Sequence, residues 1–188
     1  MPKGAKAMHV RKFKVKMVRF VVFIICTVII PFTARGIAGS ETVKFRIFTY
    51  TTRMESMPIG FFEDAPTNVL VERMGFINYE NGDVARFISR ATGKNNIQEG
   101  TREGYALITY SDNSTSVFEW KLHFTTSVIT QLKTFDGSGE FIKGTGRYAG
   151  IKGEVSLVGH EVIPLTGEPK GGAYFDVIAT YTVPPTEK

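Results

Sequence analysis

From residue 41 onward the apolar residues of this chain recur at every second position, in short runs separated by clusters of Gly, Asn, Asp and Pro. A period of two is that of a half-buried strand, and no stretch of useful length carries the 3.6 period of an amphipathic helix. The clearest unit is Gly75 to Ala91. There Phe76-Ile77-Asn78-Tyr79-Glu80 and Asp83-Val84-Ala85-Arg86-Phe87-Ile88 flank Asn81-Gly82, a pair that tolerates the positive φ of a tight type I′ turn. A second hairpin is expected to join Gly104–Tyr110 to Ser116–Phe124 through the polar run Ser111-Asp112-Asn113-Ser114-Thr115. Further strands are expected at Val43–Thr51, Val69–Met74, Val128–Phe135, Gly139–Ile142, Glu154–Gly159 and Ala173–Val183, giving eight or nine in all.

Strands in this number, joined by short connections, must close on themselves or stack as two sheets so that no long edge is left open. Glycine decides between these. Between residues 137 and 159 it recurs among short β segments, where it permits sharp bends and close backbone approach. The expected fold is therefore all-β, a small closed antiparallel barrel of about eight strands preceded by an N-terminal leader helix.

The leader is read from residues 1–38. A basic stretch to Arg19 precedes the apolar run Phe20–Ile30, which is ended by Pro31 and the small-residue segment 34–40. This is the layout of a secretory signal. Eleven apolar residues rise only ~16 Å as a helix, about half of a bilayer's hydrocarbon core. Cleavage after Ala38 is expected, leaving 39–188 as the barrel domain, exported to a periplasm or secreted. The alternative is an uncleaved membrane anchor over residues 20–34. Bulky Ile25 before Cys26 argues against lipidation of that cysteine.

Charge must be read with the leader set aside. Eight of the 23 basic side chains lie in residues 1–39, where there is no Asp or Glu, so the remainder holds 15 basic against 18 acidic residues. A mildly acidic domain lacks the electrostatic footprint for neutralising phosphates, and nucleic acid is not an expected partner. The single cysteine falls in the leader, so the domain has no disulfide, thiolate nucleophile or cysteine metal site. No Gly-x-Ser-x-Gly elbow or His-Glu-x-x-His motif is present. With His123 and His160 the only histidines of the domain, no metal or cofactor is expected.

Two sets of residues could carry function. Alternation puts Phe45, Phe118, Trp120, Phe124, Phe175 and Tyr181 on packing faces, and an eight-stranded barrel has an interior just wide enough for side chains or for one small ligand. These rings are core, or they line an apolar ligand pocket. Glu119, Lys121 and His123 share the opposite strand face. On a lumen they would make an acid–base constellation, and on the exterior they are solvated charges. Asn113-Ser114-Thr115 fits a glycosylation acceptor, but the turn accounts for the same residues.

The run Gly144–Gly153, GTGRYAGIKG, resembles the signature of the allene oxide cyclase and dirigent-like barrel proteins, including their uncharacterised bacterial relatives. The resemblance implies an eight-stranded antiparallel barrel with this glycine-rich link before its last two strands. Members include plant cyclases acting on fatty-acid epoxides and plant proteins that orient radical coupling. The plant cyclase pattern has a cysteine near the reacting epoxide, which this domain lacks, and that counts against the same chemistry.

Three functions follow as expectations. The first is an exported barrel that holds a small lipid-like or aromatic molecule in its lumen without covalent chemistry. The second is an isomerase or cyclase in which Glu119, His123 or Tyr181 polarises a bound epoxide or enone. The third is a structural, homo-oligomeric envelope protein with apolar faces outside the barrel. Membrane contact is expected only through an uncleaved leader.

Overall fold

The computed structural model describes residues 39–163 and 171–185; the leader and its cleavage site lie outside the described residues. Eight strands follow one another around a closed barrel: β1 (Glu41–Pro58), β2 (Thr67–Tyr79), β3 (Val84–Asn95), β4 (Glu99–Thr109), β5 (Thr115–Thr126), β6 (Lys133–Thr145), β7 (Lys152–Glu161) and β8 (Ala173–Thr182). Every neighbouring pair is antiparallel, and β1 closes the ring by pairing with β8 from Glu41↔Tyr181 to Thr49↔Ala173. Closure gives every strand a neighbour on both sides, which removes the hazard of an open sheet, although the half of β1 beyond Thr49 pairs with β2 alone.

The barrel and its alternation are as the sequence predicts; the strand limits differ for physical reasons. Val69–Met74 and Phe76–Glu80 are one strand, because Gly75 does not break β2. A Cβ there would lie 1.8 Å from the carbonyl oxygen of Phe48, so glycine admits the neighbouring backbone. β1 continues past Thr51 through a bulge, since Thr51 pairs with Arg73 and Arg53 with Glu72. The extra residue, Thr52, resets the parity and ends the simple alternation. Residues 127–132, expected as the start of a strand, form a loop in which the Ser127 hydroxyl accepts from the backbone N–H groups of Ile129 and Thr130.

The Asn81-Gly82 hairpin has a different turn from the one expected. Only Gly82 has positive φ (+87°), and the bonds Gly82 N–H to Tyr79 O and Tyr79 N–H to Asp83 O enclose three loop residues. That is a type I turn followed by a left-handed residue. The longer loop pairs Ile77 with Ala85, placing two apolar side chains together on the inner face, where a two-residue loop would set Ile77 against Arg86. The β4–β5 hairpin repeats this geometry, with Asn113 (φ +63°) in the position of Gly82.

The inner faces form one core. Phe118, Ile77, Ile108, Ile151 and Val155 are almost completely buried. One end of the barrel is closed by tyrosines and by the glycine-rich link. A 3₁₀ turn, Gly146–Tyr148, lays the Tyr148 ring on Tyr110 with centroids 4.2 Å apart. The Arg147 guanidinium carbon stands 5.0 Å from the centroids of both rings. Arg147 thus packs over the rings that close this end. Tyr110 and Ser116 share a buried hydroxyl contact of 3.0 Å beneath it.

Candidate functional site: a half-filled lumen

The opposite end of the barrel is hollow. A cavity of about 450 Å³ is bounded by Ile47, Val71, Phe87, Ala91, Phe118, Trp120, Leu122, Phe124, Phe135 and Phe175, with Thr49, Ser89 and Asn95 among the polar residues of its wall. That volume lies within the range of small-molecule sites, which are mostly apolar with a few polar groups.

The room comes from pairing bulk with glycine. Along β5 the inward side chains are Phe118, Trp120, Leu122 and Phe124. Their partners on β4 are Ala106, Gly104, Arg102 and Gly100, and on β6 Phe141, Gly139, Gly137 and Phe135. Trp120 therefore lies between two glycines. A Cβ at Gly100 would meet the Phe124 ring at 2.5 Å. One strand supplies the rings, and its neighbours supply the space they need.

Four of the six expected ligand-facing residues, Phe118, Trp120, Phe124 and Phe175, line this cavity. Phe45 and Tyr181 do not. They point inward as expected, but at the closed end, where Phe45 packs on Tyr79 at 5.0 Å and Tyr181 meets Phe141 edge-on at 5.8 Å. Parity along a strand gives the face but not the height along the barrel axis, and height separates these two from the other four. The Tyr181 hydroxyl donates to Glu41 at 3.1 Å.

Glu119 and His123 point out of the barrel. His123 stands 3.5 Å from Glu99 on the neighbouring strand, and Lys121 is 3.5 Å from Glu103. His123, Lys121 and Glu103 border a wider, more open depression on the outer wall. They are exterior cross-strand pairs, so the acid–base constellation is not assembled on the lumen. None of the three residues proposed to polarise an epoxide borders the cavity. Among the described residues, no group of three or more His, Cys, Asp or Glu side chains is gathered to hold a metal ion.

The charged residues of the cavity are ones the sequence reading did not single out: Arg73, Arg102, Lys133 and Glu161. Arg73 reaches from β2 across the lumen. It donates to the Thr49 hydroxyl at 3.2 Å, and its guanidinium carbon lies 5.7 Å from the ring centre of Phe135 on β6. Arg102 lies over Phe124 at 4.9 Å. Burial lowers the pKa of both arginines, that of Arg102 to about 10 with added repulsion from Arg73. Arg102 thus remains a cation at neutral pH, and a guanidinium such as that of Arg73 keeps its proton in proteins. Glu161, the one carboxylate of the wall, accepts from the Lys133 backbone N–H at 3.1 Å and stands 3.4 Å from its ammonium group. The signal that would have found the arginines is parity: Arg73 falls in the inward series Val69, Val71, Ile77, and Arg102 in the series Gly104, Ala106, Ile108.

The four connections at the cavity end also differ from those at the closed end. They expose Phe61, Phe62, Ile97, Val128, Ile129 and Ile163, whereas the closed end presents the polar turns at Asn81-Gly82 and Ser111–Asn113.

No family model matches the chain, and no curated protein does. Among solved structures, that of the pterocarpan synthase dirigent protein PsPTS1 is similar at 12% identity, covering 79% of this chain and 97% of that one with a TM-score of 0.44. Fold and site together define a class: a closed up-and-down β-barrel, plugged at one end and hollow at the other.

Proposed function

We propose that this protein is an exported barrel that binds a small, mainly apolar molecule in its lumen and performs no covalent chemistry on it. The observation that carries the reading is the cavity of about 450 Å³ walled by Phe118, Trp120, Phe124, Phe135 and Phe175. Apolar surface left open to water in a barrel interior is costly, at roughly 25 cal/mol per Å², and a ligand that covers it recovers that free energy. The apolar rim gives such a molecule a path in. Export rests on the leader, and kinship with the allene oxide cyclase and dirigent-like barrels rests on GTGRYAGIKG at the closed end.

Trp120 is the chain's only tryptophan and borders the cavity, so it reports directly on occupancy. Titrating the purified protein with a neutral naphthalene derivative should change Trp120 emission saturably. Ala91→Phe, which places a ring in the cavity, should weaken that binding at least tenfold while the protein stays folded. Unchanged affinity in the filled variant would refute binding in the lumen.

One observation favours a homo-oligomer beside this reading. Phe48 and Phe76 stack on the outer wall with centroids 5.2 Å apart, and about half of Phe76 is exposed. A second copy covering that face would account for it, and the native mass of the protein tests this.

A further inference from the structure

We infer that the lumen ligand carries a single carboxylate, which Arg73 and Arg102 hold at the inner wall while its apolar body lies against the rings of β5, β6 and β8. This inference rests on the lumen being a ligand site, and it adds the chemical class of the ligand.

The wall of the cavity carries an excess of positive charge. Three cations, Arg73, Arg102 and Lys133, face one carboxylate, Glu161, which is already held by Lys133 through its backbone and its ammonium group. Among the described residues, no carboxylate lies within ion-pair distance of either guanidinium. Charged side chains withdrawn from water are normally paired, because desolvation without a counter-charge is among the largest penalties a fold can carry. Here two of them converge on one apolar cavity, each over an aromatic ring that satisfies only part of a guanidinium. Burial lowers the pKa of both, only partly offset at Arg73 by the charge of Glu161 and deepened at Arg102 by Arg73.

Among the described residues, hydrogen bonds leave most of the guanidinium donors unused. Arg73 spends one NH on Thr49, and Arg102 spends one on the carbonyl of Thr101. A guanidinium has five N–H donors in a planar fork matched to the two oxygens of a carboxylate. Asn95 adds a further unmet group: its Oδ1 is buried in the same wall and has no hydrogen-bond partner among the described residues. It can accept from a hydroxyl or amide hydrogen of the ligand. A neutral hydrocarbon would leave all of these groups unsatisfied, and a cationic ligand would meet two like charges. A compact apolar acid satisfies the guanidinium donors, and one that also carries a hydroxyl or amide hydrogen satisfies Asn95.

The test compares two probes that share one ring system. The purified protein, freed of bound molecules by solvent exchange, is titrated calorimetrically with naphthoate and with naphthalene methanol. Naphthoate is expected to bind about 10- to 100-fold more tightly, the advantage of charge-assisted hydrogen bonds over neutral ones. Arg73→Met and Arg102→Met should each reduce that advantage about tenfold and leave the affinity for the alcohol nearly unchanged. Without ligand, each Met variant should unfold at a temperature equal to or above that of the parent, because an unpaired desolvated charge has gone. Equal affinity for acid and alcohol would overturn the carboxylate assignment and leave the apolar lumen site standing; failure of both probes to bind folded protein would overturn both. A large loss of unfolding temperature in both variants would mark the arginines as braces of the barrel and would also overturn the inference.

Discussion

Arg73 and Arg102 occupy inward positions on strands whose other inward residues are apolar or glycine, and they interrupt otherwise regular series. Such a break is visible in sequence, but only once the strand's full extent is known. Sequence segmentation ended one strand at Met74 and began another at Phe76, which hid the series Val69, Val71, Arg73, Ile77. The aromatic residues were legible for a simpler reason, because alternation alone sets their face. Tyrosine allows a test at this scale. Burial raises the pKa of Tyr79 and Tyr148, and that of Tyr181 from its ordinary 10.0 to about 12. The folded protein thus holds these protons more tightly than the unfolded chain does. Their contribution to stability is complete below pH 10 and is lost as the pH rises through the folded values. The thermal midpoint should therefore fall as the pH is raised from 10 to about 12, with tyrosinate absorbance and unfolding appearing together. A midpoint constant over that window would contradict the burial of the closed end.

At the scale of the element, the two hairpins show what sequence could and could not give. Their existence and location were plain from Asn81-Gly82 and from Ser111–Thr115. Their turn type was not, because Asn-Gly suits both a two-residue loop and the left-handed position that ends a three-residue loop. Register decides between them, and register is set by the inner face: only the longer loop sets Ile77 beside Ala85. Gly82 provides a clean test, since a Cβ there would meet nothing within 4 Å and only the backbone conformation is at stake. Gly82→Ala should destabilise the protein by about 1–2 kcal/mol in denaturant unfolding, the cost of a left-handed residue with a side chain. A change near zero would mean that the hairpin uses a different turn. The bulge at Thr52 was illegible because Thr51-Thr52-Arg53 offers no apolar alternation to interrupt, and the loop at residues 127–132 because Val128, Ile129 and Leu132 have the composition of a strand.

Across the whole molecule, closure, strand number and the position of the glycine-rich link could all be anticipated, whereas the distribution of space within the lumen could not. Eight strands give an interior that can be filled or left open, and the sum of side-chain volumes along one strand does not say which. The division arises from cross-strand partners. At the closed end, aromatic residues face aromatic residues, as in Phe45 with Tyr79 and Tyr110 with Tyr148. At the hollow end, Phe124 faces Gly100 on β4, Trp120 lies between Gly104 and Gly139, and Leu122 faces Gly137. The plug and the cavity are thus two outcomes of one rule, and the plug fixes which end a ligand can enter. The exposed apolar connections stand at that same end.

Binding in the lumen requires that a small molecule occupy it in the native setting. A native mass spectrum of the protein purified from an exporting host, followed by solvent extraction, addresses this directly. One additional small mass per chain is expected, released by extraction as an apolar compound that ionises as a monoanion. A spectrum of bare chains with an empty extract would contradict binding in the lumen.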